Sequence, residues 1–304
     1  MRVDDKAIEA VWRQIEHYIL ELDEKDIYSI VSKIPAGKRL RARLMIEIAG
    51  NKLSVIKSAA IVEMIHAASL LHDDVIDNAT KRRGVASINA VYGNKSAIMI
   101  GDILYSKAFY ELIDIDKVVA KIISNAVVQL SIGERKDVVL SDSFNTNRDK
   151  YFTMIYQKTA ALIEAASEAA AHLANKDREI YKKYGRNLGI AFQMIDDILD
   201  IISDEKTLGK PALNDFVEGK TTLPYIYLYD ALDNKGKEKL KSMHKKALTK
   251  SEQEWILENM NRYNIIEKSK EEAFALVNEA IDLMQKANES GLRDIAIKMV
   301  DRSF

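Results

Sequence analysis

Two stretches of this sequence place aspartates where a helix would otherwise bury hydrocarbon. Leu70-Leu71-His72-Asp73-Asp74-Val75-Ile76-Asp77 carries three carboxylates, and Phe192-Gln193-Met194-Ile195-Asp196-Asp197-Ile198-Leu199-Asp200 carries three more. The first and last of each set are four apart. On a helix this puts Asp73 on one face with Asp77, and Asp196 with Asp200, at roughly 5–6 Å between Cβ atoms. Aspartate is a poor mid-helix residue and is rarely buried unpaired, and like charges four apart destabilise a helix slightly. Meeting that cost twice, each time amid Leu, Ile and Val, calls for a compensating cation. Six oxygen donors suit a hard ion, and magnesium held by one or two carboxylates plus substrate phosphates is the usual arrangement. The plain alternative is a pair of solvated acidic turns, or carboxylates matched to lysines on neighbouring helices. Two copies of DDxxD, each in a hydrophobic helix, weigh against it.

Basic residues accompany both clusters. Gly37-Lys38-Arg39-Leu40-Arg41 follows Pro35, Arg82-Arg83-Gly84 comes shortly after Asp77, and Lys210 and Lys220 follow Asp200. An arginine fork binds diphosphate oxygens bidentately and lysine adds a point charge. Singly, each would be a solvated surface charge. Beside acidic clusters they imply two kinds of anion site, one through magnesium and one directly on Arg and Lys.

The elements that must position these groups are helices. Only 3 prolines and 12 glycines punctuate 304 residues, too few for many strands and tight turns. Residues with high helix propensity dominate instead. Breaks are expected near Pro35-Ala36-Gly37, Gly50-Asn51, Asn78 to Gly84, Gly93-Asn94, Ser141 to Asn147, Gly209 to Gly219 and Asn234 to Gly236. Thr146 with Asp149 resembles a capping box opening the helix that contains Lys158. Phe274, Val277, Ile281 and Met284 form a stripe, with Gly291 as its stop. None of the breaks has the composition of a flexible linker. The expected fold class is all-α: a single-domain bundle of ten or more helices spanning 1–304 around a central cavity. The net charge of -1 exerts no global pull on nucleic acid. With no cysteine, disulfides, thiolate metal sites and cysteine nucleophiles are excluded. The charged N-terminus is not a signal peptide, and no charge-free run of about 18 apolar residues occurs, so a cytoplasmic protein without a membrane span is expected.

The ordered set of motifs resembles the trans-polyprenyl diphosphate synthase family. The matching strings are GKRLR (37–41), EMIHAASLLHDDVIDNATKRRG (63–84), GDILYSKAF (101–109), KTAAL (158–162), FQMIDDILD (192–200) and TLGKPALNDFVEGKTTLP (207–224). The resemblance implies an isoprenoid synthase fold and a condensation of isopentenyl diphosphate with an allylic prenyl diphosphate. It assigns Lys38, Arg41, His66 and Arg83 to the diphosphate of isopentenyl diphosphate. Arg82, Lys158, Thr159, Gln193, Lys210 and Lys220 fall to the allylic diphosphate. Asp73 and Asp77 become magnesium ligands with Asp74 adjacent, and Asp196 becomes the principal ligand of the second cluster with Asp197 and Asp200 beside it. Three Mg2+ ions and a homodimer are implied likewise. The C-terminus, Asp301-Arg302-Ser303-Phe304, lacks the basic tail of some short-chain members.

Product length follows from helix geometry. Ser69, Ala68 and Ile65 lie about 6, 7.5 and 12 Å below Asp73 at 1.5 Å per residue. The family places bulky aromatics here in short-chain enzymes, so small residues imply a product longer than C20, with C40 expected. Tyr105, Phe109 and Tyr110 are candidates for a deeper floor, although Ala68 and Ser69 could equally serve close helix packing. A short-chain farnesyl or geranylgeranyl diphosphate synthase is the nearest alternative. A terpene cyclase would leave Lys38, Arg41 and Arg83 without a role, and a non-catalytic subunit would be expected to lose one cluster. A di-iron bundle needs Glu-x-x-His twice, whereas Glu63-Met-Ile-His66 occurs once. The product's hydrocarbon implies transient membrane contact at release, with no polybasic helix to mark a docking surface.

Overall fold

The computed structural model describes residues 5–35, 37–202 and 212–301. The helices run in chain order: α1 (Asp5–Leu20), α2 (Lys25–Val31), α3 (Leu40–Ala49), α4 (Leu53–Ile76), α5 (Ile88–Tyr92), α6 (Asn94–Leu112), α7 (Lys117–Leu140), α8 (Arg148–Ile155), a π-helical turn (Tyr156–Ala160), α9 (Ala161–Leu173) and α10 (Arg178–Ile202). They continue with α11 (Asn214–Val217), α12 (Leu223–Ala231), α13 (Asn234–Met243), α14 (Lys250–Arg262), α15 (Ile265–Lys286) and α16 (Ser290–Asp301). Among the described residues the strands are β1 (Lys81–Arg82) and β2 (Val85–Ala86), one antiparallel pair. The all-α expectation holds.

Contact density divides the chain into two compact units. One comprises Met1–Val128, Leu162–Gly185 and Asn288–Leu292, the other Gln129–Ala161, Arg186–Ala287 and Arg293–Phe304. In the first unit α4 is the central helix. Its consecutive residues Ser58, Ala59, Ala60, Ile61 and Val62 are all inaccessible, so no side of it is a solvent face there. It is the described helix long and apolar enough to cross a membrane, but half of that stretch is buried within the protein. In the second unit Tyr151, Ile155, Ala160, Met194, Ile195, Leu223, Ile226 and Ala273 pack together, bringing α8, α10, α12 and α15 around the π-helical turn.

Local signals needed three corrections. Helix α8 is capped by Asn147, whose side chain accepts from the Lys150 amide, so Thr146 is not its cap; Asn147 both precedes the first helical residue and reaches N3. The stop after α15 is Asn288, in the left-handed region at φ 59, and Gly291 lies inside α16. The buried stripe of α15 is Ala273, Val277, Ala280 and Met284, with Phe274 and Ile281 turned partly outward. The break expected near Asn234 falls at Leu232-Asp233, where Asp233 caps α13 through the Gly236 amide.

Candidate active site

In the first unit, α4 delivers the first acidic cluster at its C-terminal end. Asp73 is half-buried and Asp77 is exposed, whereas Asp74 turns inward and is 3% exposed. The reason for that inward carboxylate is Arg82: its Nε donates to Asp74 Oδ1 at 2.7 Å, and its Nη2 lies 2.5 Å from the same oxygen. Arg82 reaches back because β1 and β2 are joined by Arg83-Gly84, both with positive φ, as a two-residue hairpin turn with matching twist requires. Asn89 closes the connection by donating to the carbonyls of Asp74 and Ala79.

The hairpin also carries Arg83 to the loop before α3. Its Nη1 donates to the Pro35 carbonyl at 2.7 Å. A Cβ on Gly37 would lie 2.6 Å from the guanidinium, so a larger residue there would push the Arg83 side chain aside. Arg41 and Glu63 sit in the same neighbourhood. The Glu63 carboxylate accepts from the Ala42 amide at 3.0 Å, and burial pushes its pKa up against the pull of Arg41. His66 is held well below the usual histidine range, first by burial and then by Arg41, Arg83 and Arg82. The imidazole is therefore neutral at working pH. Lys38 is exposed on the loop, and its carbonyl accepts from Arg43 Nε. Arg41, His66, Arg82 and Arg83 thus converge, and this cluster of cations beside a neutral imidazole can bind an anion.

Beneath Asp73, Ala68 and Ile65 are inaccessible. Ser69 is half-buried and its hydroxyl donates to the His66 carbonyl at 2.9 Å. Tyr105 and Phe109 stack with centroids 6.3 Å apart. Tyr110 departs from expectation: it is 65% exposed and cannot form a floor within this unit.

In the second unit, α10 supplies the second cluster, again with the middle aspartate turned inward. Asp196 is exposed, while Asp197 and Asp200 are buried at 4% and 2%. Tyr151 Oη donates to Asp197 Oδ2 at 2.6 Å and Gln193 Nε2 to Asp197 Oδ1 at 2.8 Å. Thr159 Oγ1 in turn donates to Gln193 Oε1 at 2.6 Å. Burial, and then Asp215, hold Asp197 well above the usual carboxylate range despite those donors. Asp200 Oδ2 accepts from the Asp215 amide at 3.1 Å, and its carbonyl accepts from the Leu213 amide. The turn that follows leads directly to Lys220, whose amide donates to the Asp215 carbonyl and whose ammonium pairs with Glu218 at 2.8 Å. Lys210 lies outside the described residues.

Lys158 and Thr159 belong to the π-helical turn, in which the Ala161 amide donates to the Tyr156 carbonyl five residues back. Such turns occur mostly as single insertions in α-helices, often at functional sites. Two glycines clasp it. A Cβ on Gly133 of α7 would fall 2.3 Å from the Lys158 amide nitrogen, and one on Gly189 of α10 would fall 2.6 Å from Ala160 Cα. Lys158 Nζ lies 2.5 Å from Asp137 and 2.9 Å from Glu134.

Sequence reasoning missed Tyr151, Asp215 and the Glu134–Asp137 pair, and met Glu63 only as half of a di-iron motif. The Glu134–Asp137 pair had a signal, since acids three apart on one helix share a face. Tyr151 and Asp215 had none, because each is linked to its partner only by tertiary packing. Among the described residues, no three acidic or histidine side chains are gathered closely enough to hold a metal by themselves. Asp73 and Asp77 in the first unit, and Asp196 in the second, nonetheless each offer hard oxygen of the kind that Mg2+ completes with water and phosphate oxygens.

A family model described as polyprenyl synthetase matches residues 24–260. The chain belongs to the polyprenyl synthetase family. An octaprenyl pyrophosphate synthase from Helicobacter pylori is similar in structure, with a TM-score of 0.93 and 42% identity over 98% of this chain and 99% of that one. The octaprenyl diphosphate synthase of Escherichia coli is 33% identical over 280 residues, 89% of this chain and 85% of that one. A short chain isoprenyl diphosphate synthase of Methanocaldococcus jannaschii is 35% identical over 254 residues, 79% of this chain and 77% of that one. The architecture is the isoprenoid synthase fold, and the chain is a trans-prenyltransferase. Members of the family use Mg2+.

Proposed function

We propose that this trans-prenyltransferase condenses isopentenyl diphosphate with an allylic prenyl diphosphate, head to tail, to give a polyprenyl diphosphate longer than C20, with C40 as the expected product. The observation that carries the reading is the repeated division of labour in the two DDxxD helices. In each, the first carboxylate is accessible while the next one turns inward and is fixed by protein donors: Asp74 by Arg82, Asp197 by Tyr151 and Gln193. Asp73, Asp77 and Asp196, backed by Asp74, Asp197 and Asp200, would hold three Mg2+ ions with the allylic diphosphate. When bound, Mg2+ supplies Lewis-acid neutralisation of the leaving diphosphate.

The rest of the chemistry falls to the chain. Arg82, Lys158, Gln193, Lys210 and Lys220 orient the allylic diphosphate, while Lys38, Arg41, His66 and Arg83 hold that of isopentenyl diphosphate. His66 enters this role uncharged and serves as a hydrogen-bonding partner beside the arginines. The allylic C–O bond breaks, the double bond of isopentenyl diphosphate attacks the resulting cation, and the departing diphosphate takes the proton. The Lys158 carbonyl and Thr159 hydroxyl, fixed by the π-helical turn, stabilise the cation electrostatically. The small side chains Ala68 and Ser69 leave the hydrocarbon a path, and the stacked Tyr105 and Phe109 bound it further along. The enzyme acts as a cytoplasmic homodimer.

Incubation with labelled isopentenyl diphosphate, an allylic primer and Mg2+, followed by chromatography of the products, tests the proposal. Chains longer than C20 are expected, and Asp73→Ala or Asp196→Ala should lower turnover by orders of magnitude with helical content unchanged. Near-normal turnover in either variant, or no elongation by the wild type, rejects it. A product stopping at C15 or C20 rejects the chain length alone.

A further inference from the structure

Residues 233–250 hold seven lysines (235, 237, 239, 241, 245, 246 and 250) against two carboxylates, Asp233 and Glu238, in a chain of net charge -1. The concentration is hidden in the sequence because lysine alternates with Gly236, Glu238 and Leu240 rather than forming a run. In three dimensions α13 turns Gly236, Leu240 and Met243 inward. Lys235 and Lys239 then flank the outward arc on one side, and Lys237 and Lys241 on the other. All seven are exposed except Lys237, which is half-buried.

Each flank is paired with an aromatic ring. Lys237 and Lys241 place Nζ 5.3 and 4.8 Å from the Tyr229 centroid, and Lys239 places Nζ 4.4 Å from that of Trp255. Lys245 pairs with Asp142 at 3.2 Å and Lys250 with Glu254 at 3.9 Å, both at exposed positions. Among the described residues, no carboxylate lies within ion-pair distance of Lys235, Lys237, Lys239, Lys241 or Lys246. Glu252, the acid near Lys239 and Lys246, is engaged by Thr249. Lysines beside amphipathic Tyr and Trp rings are the combination that a charged, half-apolar interface favours.

We propose that α13 and the turn after it dock on the surface of an anionic phospholipid bilayer. Charge complementarity selects the anion, and the aromatic partners select a lipid surface over a purely polar polyanion. The helix is also fastened to the catalytic loop. His244, immediately after α13, hydrogen-bonds through Nε2 to the Gly219 carbonyl at 2.7 Å, and Lys220 is the next residue. Docking therefore keeps the turn that carries Lys220 near the membrane that a long hydrocarbon product must enter. That benefit rests on the long-chain reading, whereas the docking itself does not.

The test is cosedimentation of the full-length protein, without substrates, with phosphatidylcholine vesicles that contain or lack phosphatidylglycerol. Binding to the anionic vesicles alone is expected, and it should be lost at about 0.5 M salt, where the screening length is only a few ångströms. Each lysine near such a surface contributes roughly fivefold. Replacing Lys235, Lys237, Lys239 and Lys241 together by Gln should therefore weaken partitioning by roughly a hundredfold or more and leave condensation of a water-soluble primer unchanged. The matching fourfold Lys→Arg variant should bind as wild type, which guards against misfolding of the Gln variant. Equal binding to neutral vesicles, salt-insensitive binding, or an undiminished, folded Gln variant overturns the proposal. So does a wild type that ignores anionic vesicles and shifts on RNA instead.

Discussion

His66 shows how one residue's environment sets its protonation. Burial comes first, then Arg41, Arg83 and Arg82, and together they keep the imidazole neutral in the fold. The unfolded chain takes up a proton at this residue as pH falls through about 6.5, while the folded chain does not. The unfolded state then binds more protons, so stability falls as pH drops below that value. Denaturant melts at pH 7.5 and 5.5 should show the loss, and His66→Gln should narrow the gap between them. An unchanged gap would assign the effect elsewhere. Tyr151→Phe probes the other half of the site by removing a donor to buried Asp197. We expect a loss of about 1–3 kcal/mol in stability for an orphaned buried acceptor, measured by thermal unfolding. The outward aspartates and the arginines were legible in the sequence because charge inside an apolar helix is conspicuous. Tyr151 was not, since a tyrosine in a helix is ordinary until its hydroxyl is seen to meet a carboxylate 46 residues away.

Among the elements that shape chemistry are the π-helical turn and α4. Gly133 is compatible with the turn only because it has no side chain, and the obstacle to a methyl group is backbone. Gly133→Ala should destabilise the protein by roughly 1–3 kcal/mol, the usual range for overpacking. Activity should fall beyond what the stability loss explains, which a melting curve and a turnover assay at low temperature would separate. On α4, Ala68→Phe should shorten the product, read by chromatography; an unchanged product distribution removes Ala68 from the hydrocarbon's path. Ser69→Phe, at a half-buried position, offers the same test at lower packing cost. Helix existence was readable from periodicity almost throughout. Helix ends were not, because Asn147 and Asn288 terminate helices through geometry that neighbouring Thr146 and Gly291 could equally have supplied. The π-helical turn left no trace, since its residues, YQKTA, have no composition that distinguishes them from an α-helix.

At the scale of the whole molecule, α6 and the residue after it expose an apolar arc: Ile98, Met99, Tyr110 and Ile113 are 40%, 54%, 65% and 77% exposed. A patch of this kind fits self-association. Ile98→Asp with Ile113→Asp should shift the sedimentation coefficient from dimer toward monomer, and a wild type that sediments as a monomer would end the homodimer reading. The fold class was legible because few glycines and prolines leave helices little competition, whereas the two-unit division depends on long-range packing that no local pattern encodes. The π-helical turn has a consequence for how such a chain can change. From Arg148 to Leu173 every residue is helical, with one surplus residue in the π-helical turn. Deleting that residue would restore α-helical register, but it would remove the turn that holds Lys158 and Thr159 between Gly133 and Gly189. On the proposed mechanism, a catalyst and an inert look-alike would then stand a single codon apart.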